Sequence, residues 1–165
     1  MEQSSKKMIK DIGSLFASFK INIFFLSCFV ASGADSLVRN FLNWYVEDLA
    51  NFNETCEKND KIKTLQGLSL LIQSFGQIIM FYVSGLVIKK VGFRNAMNIV
   101  LIEISIRFFW YASIKNPWFI LPVEIMHGMG FALLYSVATQ YCKYLAPPGT
   151  EATLQVHTYY SLTLM

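Results

Sequence analysis

The chain has 165 residues, of which 54% are hydrophobic, 15% aromatic and 15% charged, with a formal net charge of +3 and a mean hydropathy of +0.41. Soluble domains carry about 25% charged residues, so this composition excludes an ordinary soluble protein and indicates an integral membrane protein. The small positive charge is not clustered, which excludes a nucleic-acid-binding surface.

Apolar runs of about 20 residues are long enough to cross a bilayer, and the chain contains four of them in succession. We therefore predict an all-α membrane fold with four complete transmembrane helices, at residues 21–46, 65–88, 96–114 and 118–145. A fifth helical pattern at 151–165 is too short to cross and is predicted to be a truncated helix. The chain divides into an N-terminal segment, 1–20, and a partial transmembrane domain, 21–165.

The N-terminal segment contains several lysines and has two interpretations. A signal peptide cleaved after Ala31-Ser32-Gly33 is one of them. The apolar pattern continues well past that position, which favours a cytoplasmic segment with an amphipathic helix at 8–19, lying at the membrane interface. The connections on the same side as this segment carry Lys and Arg in excess of acidic residues, whereas acidic residues offset the basic ones on the opposite side. This difference predicts a cytoplasmic N-terminus and a multi-pass topology.

The connection between the first two spans is predicted to lie on the opposite side of the membrane. This connection contains Asn53-Glu54-Thr55, a glycosylation sequon. The side predicted from the charges agrees with the side on which glycosylation takes place. Asn53 is therefore a glycosylation candidate, and the protein is a candidate glycoprotein.

Charged residues inside the predicted spans are the first indication of function. Asp35 and Arg39 are spaced i,i+4 in the first span, and Glu103 and Arg107 have the same spacing in the third. Charges at bilayer depth are costly and are kept where they face one another, a bundle interior or a water-filled cavity. Two interpretations stay open: ion pairs that only fix helix packing, or a path for a substrate or for protons.

The depth of each charge follows from a rise of 1.5 Å per residue. This count places charged groups from three helices in one layer between the midplane and the outer face, where transporter sites lie. The residues in this layer are the candidates for a substrate or proton pathway: Asp35, Arg107, Glu124 and His127. Arg39 and Glu103 are predicted nearer the two interfaces, outside the layer, and are secondary candidates.

The pair Glu124 and His127 has further interpretations. His127 lies three residues after Glu124, so it is either a proton relay or a hydrogen-bonded core histidine. Two ligands do not make a metal site, and the chain has no nucleophile motif or phosphate-binding loop. We therefore predict no metal, no cofactor, no catalytic residue and no enzymatic activity. If the layer is a path for a substrate, protonation of Asp35 or Glu124 would couple movement along it to protons.

One face of the first span is small and polar. Ser36, Asn40 and Asn43 lie beside Asp35 and Arg39 on it, whereas the opposite face is rich in phenylalanine and leucine. In a bilayer the polar face must turn away from lipid. We expect it to face a protein interior.

The connection between the second and third spans resembles a known motif. It reads Gly85-Leu-Val-Ile-Lys-Lys-Val-Gly-Phe-Arg94, which is similar to the cytoplasmic signature G-x-x-x-D-R/K-x-G-x-R of the major facilitator superfamily. The matching residues are Gly85, Lys90, Gly92 and Arg94. Lys89 replaces the acidic residue of the signature, so the charge contact made at that point is not carried over.

Three further segments resemble one branch, that of major facilitator superfamily domain-containing protein six and its relatives. They are Asn116 to Gln155, Trp44 to Leu49, and Arg107 to Tyr111. The resemblance implies that the four spans correspond to the seventh to tenth of a twelve-helix fold. Arg39 departs from the branch, the first six spans are absent, and after Gln155 the sequence no longer follows the family. A truncated gene product, a splice form or a faulty gene model would explain both missing parts.

Two functions follow from the resemblance. The first is a fragment of a secondary transporter-like protein working by alternating access, with a small-molecule substrate that the resemblance does not identify. Its partners would be the lipid bilayer and a missing N-terminal half or other partner helices, with no nucleic acid. The second is a membrane receptor or interaction protein on the same scaffold, with the outer connection at 47–66 as its contact surface.

Overall fold

The computed structural model describes residues 19–51 and 58–146, and within them all the regular structure is helical. The elements in chain order are α1 (Phe19–Asn51), α2 (Lys58–Ser113), a short 3-10 turn (Pro117–Phe119) and α3 (Ile120–Leu145). The segment before residue 19, the sequon at Asn53 and the predicted truncated helix at 151–165 lie outside the described residues.

Three helices in the described part of the chain are long and apolar enough to cross a membrane: Ile21–Leu49, Lys61–Ser113 and Pro117–Leu145. This agrees with the all-α membrane class, but it does not support four complete spans plus a truncated fifth. The predicted spans at 65–88 and 96–114 both lie in α2. They are not separated by a loop because the helix continues up to Gly92 and resumes directly after it.

Gly92 interrupts α2 with a backbone conformation of φ 80° and ψ 161°. This region of conformational space is essentially restricted to glycine. We call residues 58–91 the first arm of α2 and residues 93–113 its second arm. Gly85, Lys90 and Arg94, the other residues of the cytoplasmic motif, lie in helix on either side, and both cations are exposed.

The first arm packs parallel to α3, so that residue numbers rise in the same direction in both helices. Gly76 lies against the backbone of Ile125, and further along the rings of Phe81 and Tyr135 are 6.1 Å apart. A side chain at Gly128 would meet the backbone of the first arm in the same region. Small residues at this crossing therefore allow the two helix backbones to approach closely.

The second arm packs antiparallel to α3. Phe93 lies 5.4 Å from Tyr141, between ring centroids, whereas the hydroxyl of Tyr111 donates to Glu124 at 2.8 Å. Rising residue numbers in the second arm thus meet falling numbers in α3. Since the first arm shows the reverse relation, the chain changes direction at Gly92.

The start of the last helix is set locally. The side-chain oxygen of Asn116 accepts a hydrogen bond from the backbone N–H of Trp118 at 3.1 Å, and Pro117 occupies the first turn. Both are favoured at the beginning of a helix, because the cap satisfies a free N–H and proline has none to lose.

Two apolar clusters lie towards opposite ends of the helices. One includes Ala31, Val100 and Val137, and the other includes Val46, Leu65 and Ile120. The remaining outer surface carries many exposed large apolar side chains, of which Tyr82 and Phe109 are 87% and 78% exposed. A surface of this kind requires lipid or partner helices to cover it.

Candidate functional site

A group of polar side chains, most of them buried, lies between the two apolar clusters. We call it the polar cluster, and it comprises Asp35, Arg39, Glu103, Arg107, Tyr111, Glu124 and His127. Its members come from α1, the second arm of α2, and α3. Arg107, Glu124 and His127 are each only 1% exposed, so their charges and dipoles are shielded from solvent by the protein.

Asp35 is the centre of the cluster. One carboxylate oxygen, Oδ2, accepts from the Nε and one terminal nitrogen of Arg39 at 3.0 and 2.8 Å. The other, Oδ1, accepts from both terminal nitrogens of Arg107 at 3.2 Å each. Asp35 therefore joins its own helix to the second arm of α2 through two guanidinium groups.

His127 connects this centre to Glu124. Its Nε2 lies 2.9 Å from Asp35 Oδ1, within ion-pair distance, although the N–H direction does not satisfy hydrogen-bond geometry. Its Nδ1 lies 3.2 Å from Glu124 Oε2, at a spacing of i,i+3. Both ring nitrogens thus face carboxylates, an arrangement that suits either a structural histidine or one that exchanges a proton.

Tyr111 is a member of the cluster that the sequence analysis missed. Its hydroxyl donates to Glu124 Oε1 at 2.8 Å, and its backbone carbonyl accepts from the hydroxyl of Tyr45 at 2.7 Å. The sequence contains a pattern that could have placed Tyr111 in the cluster: Glu103, Arg107 and Tyr111 recur every four residues and therefore share one helix face.

Arg39 and Glu103, which the sequence analysis predicted outside the polar layer, contact members of that layer in the structure and are part of the cluster. Arg39 forms the i,i+4 pair with Asp35, and its side chain is 44% exposed. It also lies over the ring of Phe131, 4.2 Å from the centroid, which favours a cation–π contact. The contacts form because long side chains can reach a full turn along the helix from their backbone positions.

Glu103 is placed differently from the other two carboxyl groups. Its Oε1 is 3.9 Å from Arg107 Nε, too far for a hydrogen bond, and within the described residues neither of its oxygens has a donor. Its carboxyl group lies directly against Gly130, where an added side chain would collide with it. The glycine in α3 therefore makes the space that this carboxyl group occupies.

The charged groups of the cluster form ion pairs within helices, at the i,i+4 spacing, and also between helices. Moving a charged group out of water costs several kcal/mol unless it gains partners in the protein. The contacts within the cluster offset much of that cost. Among residues 19–51 and 58–146, no group of three histidine, cysteine or acidic ligands is arranged to hold a metal ion.

The sequence model of the MFS_1 like family matches residues 2–162. The chain belongs to this family. Its apolar helices and its family together make it an integral membrane protein of the major facilitator type, and the resemblance noted in the sequence is confirmed.

Curated relatives agree with this assignment to the MFS_1 like family. The chain is 23% identical over 154 residues to the Xenopus laevis protein named major facilitator superfamily domain-containing protein 6-like protein B, and 21% identical over 154 residues to 6-like protein A of the same species. Each match covers 93% of this chain and 24% of the relative, so the chain spans about a quarter of the length of these relatives. No solved structure matches the chain.

Proposed function

We propose that this chain is part of a multi-pass secondary carrier of the major facilitator type, which moves a small molecule by alternating access and couples that movement to protons. The observation that supports it best is the polar cluster itself. It brings three carboxyl groups, two guanidinium groups and a histidine together on three apolar helices. Intramembrane groups of this kind commonly mark the path of a substrate or of protons.

The two arms of α2 would cross the membrane separately. A straight helix of 53 residues would be about 80 Å long at 1.5 Å per residue, far longer than a hydrocarbon core of about 30 Å. The reversal at Gly92 removes this conflict. With α1 and α3, the arms would give four crossings, and the exposed cations near Gly92 would lie in the cytoplasm with the N-terminus.

The polar cluster is open on the side of α1. Arg39 is 44% exposed there, and Asn40 and Asn43 beside it are exposed as well. Lipid cannot solvate such groups, so we propose that partner helices from outside this chain face them. Carrier sites form between two such halves, which move relative to each other around the substrate.

Uptake measurements test this proposal in the parent protein, meaning the longest gene product that contains this sequence. The protein is reconstituted in liposomes that hold a pH-sensitive dye, and sugars, amino acids and monocarboxylates are supplied outside. We expect one class to move protons inward with it, and Asp35→Asn and Glu124→Gln to abolish this movement. Glu47→Gln, which changes an exposed carboxylate bonded to Gln66, is the control.

Unchanged transport in both cluster variants would rule out the pathway assigned here. No solute-driven proton movement with any of the three classes would count against the carrier itself. The receptor function depends on the connection at 47–66, of which residues 52–57 lie outside the described part of the chain. It stays a prediction without a structural observation in its favour.

A further inference from the structure

The three carboxyl groups of the polar cluster differ in the donors that reach them. Asp35 accepts hydrogen bonds from two arginines, Arg39 and Arg107. Glu124 faces the Tyr111 hydroxyl at 2.8 Å through one oxygen and His127 Nδ1 at 3.2 Å through the other. Both oxygens of each of these two carboxyl groups thus have a polar partner, which offsets part of the cost of burial.

Glu103 has no such donors. Both of its oxygens are buried, and within the described residues neither accepts a hydrogen bond. The backbone that it touches, at Gly130, is helical, so the N–H groups there already bond within α3. A buried carboxylate without donors keeps the full cost of losing water, and adding a proton removes most of that cost.

The charged groups that face Glu103 come from all three helices. Arg107 lies on its own helix, with Nε at 3.9 Å, while Asp35 of α1 and His127 of α3 are also near enough to interact electrostatically. Arg107 directs both terminal nitrogens at Asp35, so its positive charge is held mainly on that side. Its Nε has no hydrogen-bond partner among the described residues.

We propose that Glu103 carries a proton in the arrangement seen here and is the proton-binding residue of the polar cluster. When its O–H bond breaks, the proton passes to water and the carboxylate attracts the unpaired Nε of Arg107. Closing the 3.9 Å gap draws Arg107 away from Asp35 and loosens the contact between α1 and the second arm of α2. The proposal deepens the carrier proposed above by naming its proton site, and it replaces Asp35 and Glu124 in that role.

His127 is the competing site for this proton. Its Nε2 faces Asp35 at 2.9 Å and its Nδ1 faces Glu124 at 3.2 Å, so a proton on the imidazole is shared with those two carboxylates and gives Glu103 no donor. The two sites are distinguished by chemistry, because a protonated carboxyl group has a C=O stretch in the infrared spectrum that neither a carboxylate nor an imidazole ring has. The test therefore requires no substrate and no transport.

The experiment records infrared spectra of the 165-residue chain in bilayers of ether-linked phospholipids, which have no ester carbonyl, at pH 7 and over a rising pH series. Three proteins are compared: the unchanged chain, Glu103→Gln and the control Glu47→Gln. Glutamine has the shape of a neutral glutamate, so Glu103→Gln is expected to keep the helical circular dichroism spectrum. We expect one protonated-carboxyl band at pH 7 that is absent in Glu103→Gln, retained in Glu47→Gln and lost as the pH rises.

Several results would overturn the proposal. Absence of the band at pH 7 would show that Glu103 is ionised, and its persistence in Glu103→Gln would assign it to another residue. Loss of the helical spectrum in Glu103→Gln, when the unchanged chain has it, would show that the charge of Glu103 is required. Confirmation of the band together with failure of every uptake assay would leave Glu103 as a proton site in a protein that is not a carrier.

Discussion

Both terminal nitrogens of Arg107 lie 3.2 Å from the same oxygen of Asp35, although the two residues are 72 positions apart in the chain. The other oxygen of Asp35 holds Arg39 of its own helix. One carboxylate thus balances two guanidinium groups and joins α1 to the second arm of α2. The contact makes the packing of α1 dependent on the state of the cluster.

Asp35→Asn is expected to destabilise the protein strongly. The variant leaves two guanidinium groups without their shared counter-charge, and removing one partner of a buried ion pair costs about 3–5 kcal/mol. Glu47→Gln, at an exposed side chain whose partner is the neutral Gln66, should change stability by about 0.5 kcal/mol or less. Unfolding in mixed detergent and denaturant, followed by circular dichroism, measures both. Equal stability of the two variants would mean that Asp35 contributes little to packing.

Gly92→Ala is expected to disturb the reversal between the arms of α2. Its φ of 80° is unfavourable for any residue with a Cβ atom, and such strain costs about 1–3 kcal/mol. Gly85→Ala is the matched control, because it lies in helix in the same motif with no atom within 4 Å of an added Cβ. We expect a lower unfolding midpoint for Gly92→Ala alone, and a similar midpoint for both variants would contradict the turn conformation.

Gly128→Ala is expected to separate α3 from the first arm. An added Cβ there would meet the backbone carbonyl of Gln73, which cannot move without shifting the helix. Gly33→Ala, with no atom within 4 Å of its added Cβ, should be neutral or stabilising by up to about 1 kcal/mol. The unfolding free energies of the two variants measure the difference, and a stabilising effect of Gly128→Ala would exclude this close crossing.

Tyr111→Phe is expected to weaken the cluster without dismantling it. It removes the hydroxyl that donates to buried Glu124, and a lost bond to a charged acceptor costs about 1.5–3 kcal/mol. Tyr45→Phe leaves that bond intact and removes only the donor to the Tyr111 carbonyl, so it should cost less. A larger effect for Tyr45→Phe in the same unfolding measurement would reverse this ranking.

The sequence predicted the membrane class because that class depends on residue type and on the length of apolar runs. Asp35, Arg107, Glu124 and His127 were assigned to one depth from residue counting alone, and the structure brings them into contact. The family was also predicted, from a loop motif and three short segments. The pathway role of these residues stays a prediction.

Other features could not be read from spacing. The continuity of α2 up to and beyond Gly92 was missed because a single glycine turn leaves no run of loop residues to recognise. Arg39 was placed outside the layer because a count along the helix axis ignores the reach of its side chain. The isolation of Glu103 depends on the absence of a side chain at Gly130, 27 positions away by number, which no local pattern reveals.

The central claim is that the polar cluster lines the pathway of a carrier, and water access to the polar face of α1 tests it most directly. A cluster that serves only packing would be inaccessible to water. Ser36 and Leu37 are adjacent, at nearly the same depth, but lie on the polar and the apolar side of the helix. Ser36→Cys and Leu37→Cys are made in the parent protein after all of its cysteines, Cys28, Cys56 and Cys142 among them, are replaced by alanine. Each is treated in intact membranes with a membrane-impermeant thiol reagent, and labelling after unfolding in detergent confirms equal amounts. The account predicts labelling of Ser36→Cys and none of Leu37→Cys, whereas protection of both would contradict it.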